Sequence, residues 1–341
     1  MTPSNKAAIL TEARAHPMEV EMVDYPTAGT DEVIVKVSAI AINPMDHAIQ
    51  TLGLNLFPWL QYPYIGGTDV AGTVVEAGSK VTSTKVGDRV LGLAVSFVPR
   101  EGAFQAYVVL KSNLVSVLPP TLPFADAAVL PLGLATAAGG LYEPGSLELP
   151  YPTTTNPNPT SQTVVVWGGA TSVGSNAIQL AVASGCDVFA TCSPRNFAYC
   201  TALGASRTFD YRSPTLGADL LGALRERRCG GGFAVIPGPL YSVFEVIGKN
   251  DGAKIVSVAT PVKPENVPAG IRCHHIFGGN IKDNDVAAAV FNEFLAEALA
   301  AGRFKCMPPP EVVGEGLESL QGALDKLKKE GVSAKKLVVT I

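Results

Sequence analysis

Three observations predict an α/β chain with two differently built regions. Up to about residue 120, short strand-like runs alternate with glycine and proline turns. Beyond about residue 160, strand and helix patterns alternate. At Thr163–Ala183, four β-prone apolar residues enter a glycine turn and a helical pattern follows at once, with Val173, Ala177, Leu180 and Ala181 at helical spacing. The first texture is that of a partly closed β-barrel. The second, anchored by the third observation, is that of a doubly wound parallel sheet. The 341 residues allow two domains, and 47% apolar with 16% charged residues describes a core-rich globular chain.

In the first region, Val33–Ile40 alternates as a strand, and Pro26 and Gly29 punctuate the turn before it. Asp69–Gly78 reads as a second strand, in which Gly72 signals a bulge or a close backbone approach. Val86–Gly92 and Gly102–Leu110 supply two more strands. From Phe124 the pattern turns helical, and Glu143–Ser161, with prolines at 144, 150, 152, 157 and 159, reads as an exposed loop.

After that loop come a strand from Thr163 and a helix to about Gly185, then strand Asp187–Cys192, helix Phe197–Leu203 and strand Arg207–Asp210. Helix Leu216–Arg228 precedes strands at Phe233–Ile236 and Lys254–Ala259. Val286–Ala301 and Glu315–Lys329 read as helices. The closing strand from Lys336, arriving alone after a helix, is expected to return to the first region's sheet.

Composition narrows the function classes. A net charge of −4 leaves no basic footprint, so nucleic acid is not an expected partner. The apolar run Ala127–Tyr142 is broken by Pro131, Gly133, Gly139 and Gly140, so no membrane span is expected. Met1–Ala15 carries Lys6, Glu12 and Arg14 in place of the apolar core of a signal peptide. The six cysteines form no Cys-x-x-Cys pair and no Cys/His cluster, which fits reduced thiols in a cytoplasmic protein. Of the four histidines only His274 and His275 adjoin, and neighbours on a strand face opposite ways.

The glycine turn carries the first candidate site. Aligned to G-x-G-x-x-G, its positions are Gly169, Thr171 and Gly174, with threonine where the middle glycine normally lets backbone approach a pyrophosphate. The strand before it, the helix after it and the βαβ series beyond make it a dinucleotide turn. Backbone N–H groups at Ser172 and Val173 then face the phosphates, and the Thr171 hydroxyl is a further candidate donor. The end of the next strand reads Cys192-Ser-Pro-Arg-Asn with no carboxylate for a ribose 2′-hydroxyl, while Asp187 sits at the strand's start. Ser193 and Arg195 suit a 2′-phosphate, so the expected cofactor is NADPH.

Further stretches line up in order along nearly the whole chain: Ala41-Ile-Asn-Pro-Met-Asp, Pro63-Tyr-Ile-Gly-Gly-Thr-Asp-Val-Ala-Gly, Gly87-Asp-Arg-Val, Gly102-Ala-Phe-Gln-Ala-Tyr, Leu130-Pro-Leu-Gly-Leu-Ala-Thr-Ala and Lys335-Lys-Leu-Val-Val. Together with the glycine turn they resemble the medium-chain dehydrogenases/reductases. Within that superfamily the chain resembles the zinc-free quinone-oxidoreductase branch. Thr191-Cys-Ser-Pro-Arg-Asn-Phe, Phe209-Asp-Tyr-Arg-Ser-Pro and the proline-rich insert are similar to fungal trans-acting enoyl reductases of polyketide assembly. The resemblance implies a GroES-like partly open β-barrel domain at residues 1–126 and 300–341, with a Rossmann NADP-binding domain at residues 127–299.

The resemblance also implies roles. Asn43 and Asp46 match positions near the nicotinamide, Thr136 one at its ribose, and Tyr211 one at the adenosine end. Backbone at Val258, Ala259 and Thr260 is expected to meet the carboxamide, with Phe277 and Gly278 beside it. His47, Tyr62 and Tyr64 are candidate proton or hydrogen-bond donors, with packing as the competing role for Tyr64 and a structural role for His47. Phe57 and Trp59, in the loop Leu52–Tyr64, wall the substrate pocket or fill the core. No metal is expected. Where zinc-dependent members carry Gly-His-Glu this chain has Gly67-Thr68-Asp69, and no cysteine precedes Cys186.

Without a metal Lewis acid, the expected chemistry is hydride transfer to a C=C bond conjugated to a carbonyl, in an enone or a carrier-bound enoyl thioester, as in fungal secondary metabolism. A zinc-free carbonyl or quinone reductase is the alternative, and a non-catalytic NADPH-binding scaffold or docking subunit of a synthase a second. Monomer and homodimer both remain open.

Overall fold

The computed structural model describes residues 4–341 apart from residues 56, 59, 96–97 and 236–239. The chain divides into two compact units, residues 1–132 with 309–341 and residues 133–308.

The first unit opens with β1 (Asn5–Leu10), β2 (Glu19–Val23) and β3 (Glu32–Ala41), followed by α1 (Pro44–Leu52). Then come β4 (Tyr64–Ile65), β5 (Asp69–Ala77), β6 (Arg89–Leu93), β7 (Tyr107–Lys111), β8 (Val115–Val117) and the single turn of α2 (Phe124–Ala127). β3 is buried along most of its length because it is the shared strand. One edge pairs with β5 throughout, and the first half of the other edge pairs with β7. Gly72 on β5 stands opposite Val37, where the register shifts, and a Cβ there would lie 2.1 Å from the Lys36 carbonyl oxygen. β1, β2 and β4 form a smaller sheet. It is tied to the region before β7 by the Ala8 N–H to the Phe104 carbonyl at 2.8 Å.

The second unit contains most of α3 (Pro131–Tyr142), then β9 (Gln162–Trp167), α4 (Ser172–Ala183), β10 (Asp187–Cys192), α5 (Phe197–Ala202) and β11 (Arg207–Asp210). It continues with α6 (Leu216–Leu224), β12 (Arg228–Ala234), α7 (Leu240–Lys249), β13 (Ile255–Val258), β14 (Arg272–His275), α8 (Asp285–Ala287) and α9 (Ala296–Ala300). Its six strands lie in the order β11-β10-β9-β12-β13-β14, all parallel. The chain moves outward from β9 to β11 and then returns to β12, so strand order reverses between β9 and β12. In open α/β sheets ligands bind outside the carboxyl ends of the strands at such a switch point. On one face of the sheet Val165, Trp167, Phe189 and Val256 pack with Leu220 of α6 and Phe244 of α7 in one core.

Three details depart from the sequence reading. α6 ends at Leu224, and the strand after it begins at Arg228, because the glycine run after Cys229 pairs with β9 across a bulge. β14 is a full sixth strand where no strand is expected from the sequence. Between α8 and α9 the expected helix widens into a π-helix, Ala288–Leu295.

The chain then returns to the first unit through β15 (Pro310–Glu315), α10 (Leu320–Glu330) and β16 (Lys336–Thr340). β16 lies antiparallel to the second half of β3, with Val338 opposite Ala41, and parallel to β15. The terminal strand thus completes the sheet β15-β16-β3-β5-β6-β8, as its lone position predicts. Val33, Val35, Val70, Val90, Leu110, Leu320, Leu337 and Val339 share one core. The apolar segment Phe124–Tyr142 has the length and hydropathy of a membrane span, yet 78% of it is buried inside the protein. All six cysteines are free.

Candidate functional site

In the second unit the candidate residues gather at the carboxyl ends of the parallel strands. β9 ends in a turn in which Gly168 has φ 92°, a conformation that favours glycine. The Gly168 and Gly169 N–H groups both donate to the Thr191 carbonyl, at 3.2 and 2.9 Å, which fastens the turn to β10. Thr171 is the N-cap of α4: its Oγ1 accepts from the Gly174 N–H at 2.9 Å and donates to the Gly168 carbonyl at 2.8 Å. The one hydroxyl proton expected to meet a phosphate is therefore spent inside the turn. Ser172 and Val173 form the first turn of α4, at the carboxyl end of β9. A Cβ at Gly174 would stand 2.2 Å from the Gly168 carbonyl oxygen, so only glycine lets the helix close on the strand.

Beside this turn, β10 ends in Ser193, with Arg195 exposed in the short helical turn that follows. Cys192 pairs with Asp210, so Tyr211 emerges from β11 next to Ser193. The Arg212 guanidinium stacks 5.0 Å from the Tyr211 ring centre. Asp187, at the opposite end of β10, is paired with Arg227. No carboxylate therefore stands at the position that reads a ribose 2′-hydroxyl.

On the other side of the switch point, Val258 ends β13, and the Ala259 N–H donates to the Ala234 carbonyl at 2.9 Å. The Thr260 hydroxyl donates to the Val235 carbonyl at 3.0 Å. Phe277 caps the helical turn after β14. Gly278 lies against Thr136 of α3, and a Cβ on it would meet the Thr136 Oγ1 at 2.7 Å. Thr136, Val258, Ala259 and Phe277 thus share one end of the sheet.

In the first unit Asn43 is the N-cap residue of α1, with Pro44 in the first turn. Its backbone N–H donates to Asp46 Oδ2 at 2.7 Å. Its carboxamide donates to Thr68 Oγ1 at 3.1 Å and to Asp69 Oδ2 at 2.8 Å. Asp69 is fully buried and also takes the Leu132 N–H at 2.5 Å and the Lys336 ammonium. Asp46 has an Oδ1 that is buried without a hydrogen-bond partner. Burial lifts its carboxyl to about 7; Asp69 pushes the same way, against the Asn43 N–H and Lys336.

Of the remaining candidates, Tyr64 lines a small internal cavity together with Asp46. The charged groups acting on His47 are Lys328 and Asp325 of α10, and burial with Lys328 lowers the pKa of the imidazole against the pull of Asp325. Tyr64 is 4% exposed and packs with Leu10, Ile49, Phe57 and Leu60. Tyr62 has a buried hydroxyl without a partner. Trp59 lies outside the described residues. Among those residues no three His, Cys, Asp or Glu side chains group as metal ligands. Thr68, Asp69 and Lys336 are absent from the residues singled out by sequence as catalytic. The only sequence signal for them is that Thr68-Asp69 replaces a His-Glu pair.

A partly open β-barrel unit and a doubly wound parallel sheet with a glycine turn at its switch point define a dinucleotide-type α/β protein. Comparison with known proteins places it more closely. Residues 29–120 match the alcohol dehydrogenase GroES-like domain. The chain is 46% identical to a dehydrogenase of Aspergillus niger, with 99% of each chain covered. It is 39% identical to a trans-enoyl reductase of Aspergillus japonicus, covering 99% of this chain and 97% of that one. An alcohol dehydrogenase superfamily protein from Novosphingobium aromaticivorans has a similar structure, with TM-score 0.77, 26% identity and 99% of both chains covered. The chain belongs to the medium-chain dehydrogenase/reductase superfamily and is an oxidoreductase of that kind.

Proposed function

We propose that this protein is an NADPH-dependent reductase of the C=C bond in α,β-unsaturated carbonyl compounds, free enones or carrier-bound enoyl thioesters, in fungal secondary metabolism. In this reading the second unit carries the cofactor-binding residues, and the candidate catalytic side chains Asn43, Asp46, His47 and Tyr64 belong to the first. The observation that carries the cofactor choice is the end of β10. Ser193, Arg195 and the adjacent Tyr211 offer donors and a stacking ring, and the strand's only acid, Asp187, is tied to Arg227 at the far end. The acceptor class is supported by the trans-enoyl reductase of Aspergillus japonicus, which matches over almost its whole length.

The residues fit the dinucleotide. Ser172 and Val173, in the first turn of α4, would bind the pyrophosphate, on a helix whose packing against β9 Gly174 permits. Ser193 and Arg195 hold the 2′-phosphate, and Thr136, Val258, Ala259 and Phe277 line the nicotinamide end. When bound, NADPH supplies a hydride, which the alkene accepts at its β-carbon. The protein's own part is to stabilise negative charge on the carbonyl oxygen and to deliver a proton to the α-carbon. Asn43 and Asp46 are the polar groups suited to this, since Asp46 retains a proton near neutrality. His47 and Tyr64 are further donors in this reading, with the His47 pKa lowered chiefly by burial and Tyr64 set among apolar side chains. No metal takes part in this reading, which is supported by Asp69, at the position of the zinc-dependent members' glutamate, being paired with Lys336.

Arg195→Asp tests the cofactor assignment. It is expected to weaken NADPH binding by about a hundredfold or more while leaving NADH within about threefold, because a charge-assisted contact to phosphate becomes a like-charge repulsion. Unchanged discrimination between the two cofactors would remove the assignment.

A further inference from the structure

Three ionisable side chains are buried together in the first unit: Asp46 of α1, Asp69 of β5 and Lys336 of β16, at 4%, 0% and 3% exposure. Lys336 donates to Asp69 Oδ2 and, at 3.2 Å, to the Val129 carbonyl. The pairing of β16 with β3 uses backbone groups, so the sheet does not need the ammonium. An apolar residue at this position would avoid the cost of desolvating a cation, which in a protein interior is several kcal/mol per ion. The charge is retained where packing alone would favour its loss, and what it touches is Asp69, the acceptor of the Asn43 carboxamide.

We propose that Lys336 is a positioning residue: through Asp69 it fixes the Asn43 carboxamide and the first turn of α1, from which Asp46 projects. The proposal rests on the reading of Asn43 and Asp46 as catalytic side chains. Asp69 Oδ2 receives two donors, the Lys336 ammonium and the Asn43 Nδ2 at 2.8 Å, so the lysine and the carboxamide are held on one oxygen. Asn43 in turn anchors Asp46 through its backbone N–H at 2.7 Å. The groups facing Asp46 are Asp69 of β5, Lys336 of β16, Asn43, and around a small internal cavity Gln50, Tyr64 and Phe104. Of these only Lys336 is a cation, so its loss also moves the ionisation of Asp46 upward.

The test is a double-variant cycle on the full chain with Lys336→Met, Asp69→Asn and the two combined, assayed as NADPH-dependent enone reduction with NADPH binding measured in parallel. Each single variant is expected to lower kcat about tenfold or more, with NADPH affinity within about twofold, and the combined variant to be no worse than the more damaging single. In Lys336→Met the pH profile of kcat is also expected to move upward by about one unit. A kcat within about twofold of wild type in both singles, or losses that multiply in the double, would overturn the proposal. Should Lys336→Met fail to fold, the double variant, which removes both buried charges together, carries the comparison of kcat and pH profile with wild type. If wild type itself reduces no enone, the reading of function fails. The positioning claim is then read from the Asn43 side-chain amide resonances, which must shift in Lys336→Met; unshifted resonances overturn it.

Discussion

Asp46→Asn isolates the energetic cost of a buried carboxyl. Burial lifts Asp46 from 3.8 to about 7, Asp69 adds to the lift, and the Asn43 N–H and Lys336 oppose it. Three pK units correspond to about 4 kcal/mol. The sign follows from linkage: between these two values the folded protein holds a proton that the unfolded chain has lost. The native state is therefore favoured fully below the unfolded pKa, and that advantage drains away as pH rises through about 7. The carboxamide that replaces the Asp46 carboxyl cannot ionise, but its carbonyl oxygen still accepts the Asn43 N–H. The variant is thus expected to gain on wild type by about 2–4 kcal/mol between about pH 4 and pH 8. Urea unfolding at a series of pH values reads this as a widening gap between midpoints. Two parallel stability curves would refute the reasoning, because they would mean that Asp46 ionises in the folded state as readily as in the unfolded chain.

Two other sites give independent checks. Thr171→Val keeps the shape of the side chain but removes the cap on α4, and is expected to cost about 1–2 kcal/mol in thermal or urea unfolding. Since its hydroxyl proton goes to Gly168, NADPH affinity should fall by less than about tenfold, and a loss of a hundredfold or more would restore Thr171 as a phosphate donor. Glu32 is 2% exposed, and although burial pushes its carboxyl up, Arg100, Lys111 and the Gly29 N–H together hold it down to about 2. Its contribution to stability is present above the usual carboxylate range and is lost as pH falls toward about 2. With its partly exposed partners discounted, Glu32→Gln should cost about 1–3 kcal/mol at neutral pH and much less near pH 3, as read by unfolding at the two pH values.

Patterns that repeat within a few residues made much of this fold legible. The β9–α4 turn declares itself because a run of β-branched residues, glycines and a helical stripe are contiguous. β16 was legible from its isolation after α10. Of β12 only the end, read as a strand from Phe233, was legible, since the three successive glycines before it carry no strand propensity and are held by pairing with β9 and, at Gly232, with β13. The π-helix was hidden because apolar spacing alone does not separate a helix from its wider form. Thr171 shows how one residue admits two readings: a threonine just before a helical stripe is also an N-cap signal, and the capping geometry uses its hydroxyl. Lys336 was opaque for a different reason. Beside Lys335 it reads as surface charge, and its partner Asp69 lies 267 residues away, so only the return of β16 to β3 brings the pair together.

Reduction of a conjugated C=C bond by NADPH is tested most directly by incubating the protein with NADPH carrying deuterium at the transferable position and an enone, and determining the product by NMR. A saturated ketone with deuterium on the β-carbon is expected. An allylic alcohol with deuterium on the former carbonyl carbon, a quinol from a quinone panel with enones untouched, or NADPH bound but never consumed would contradict it.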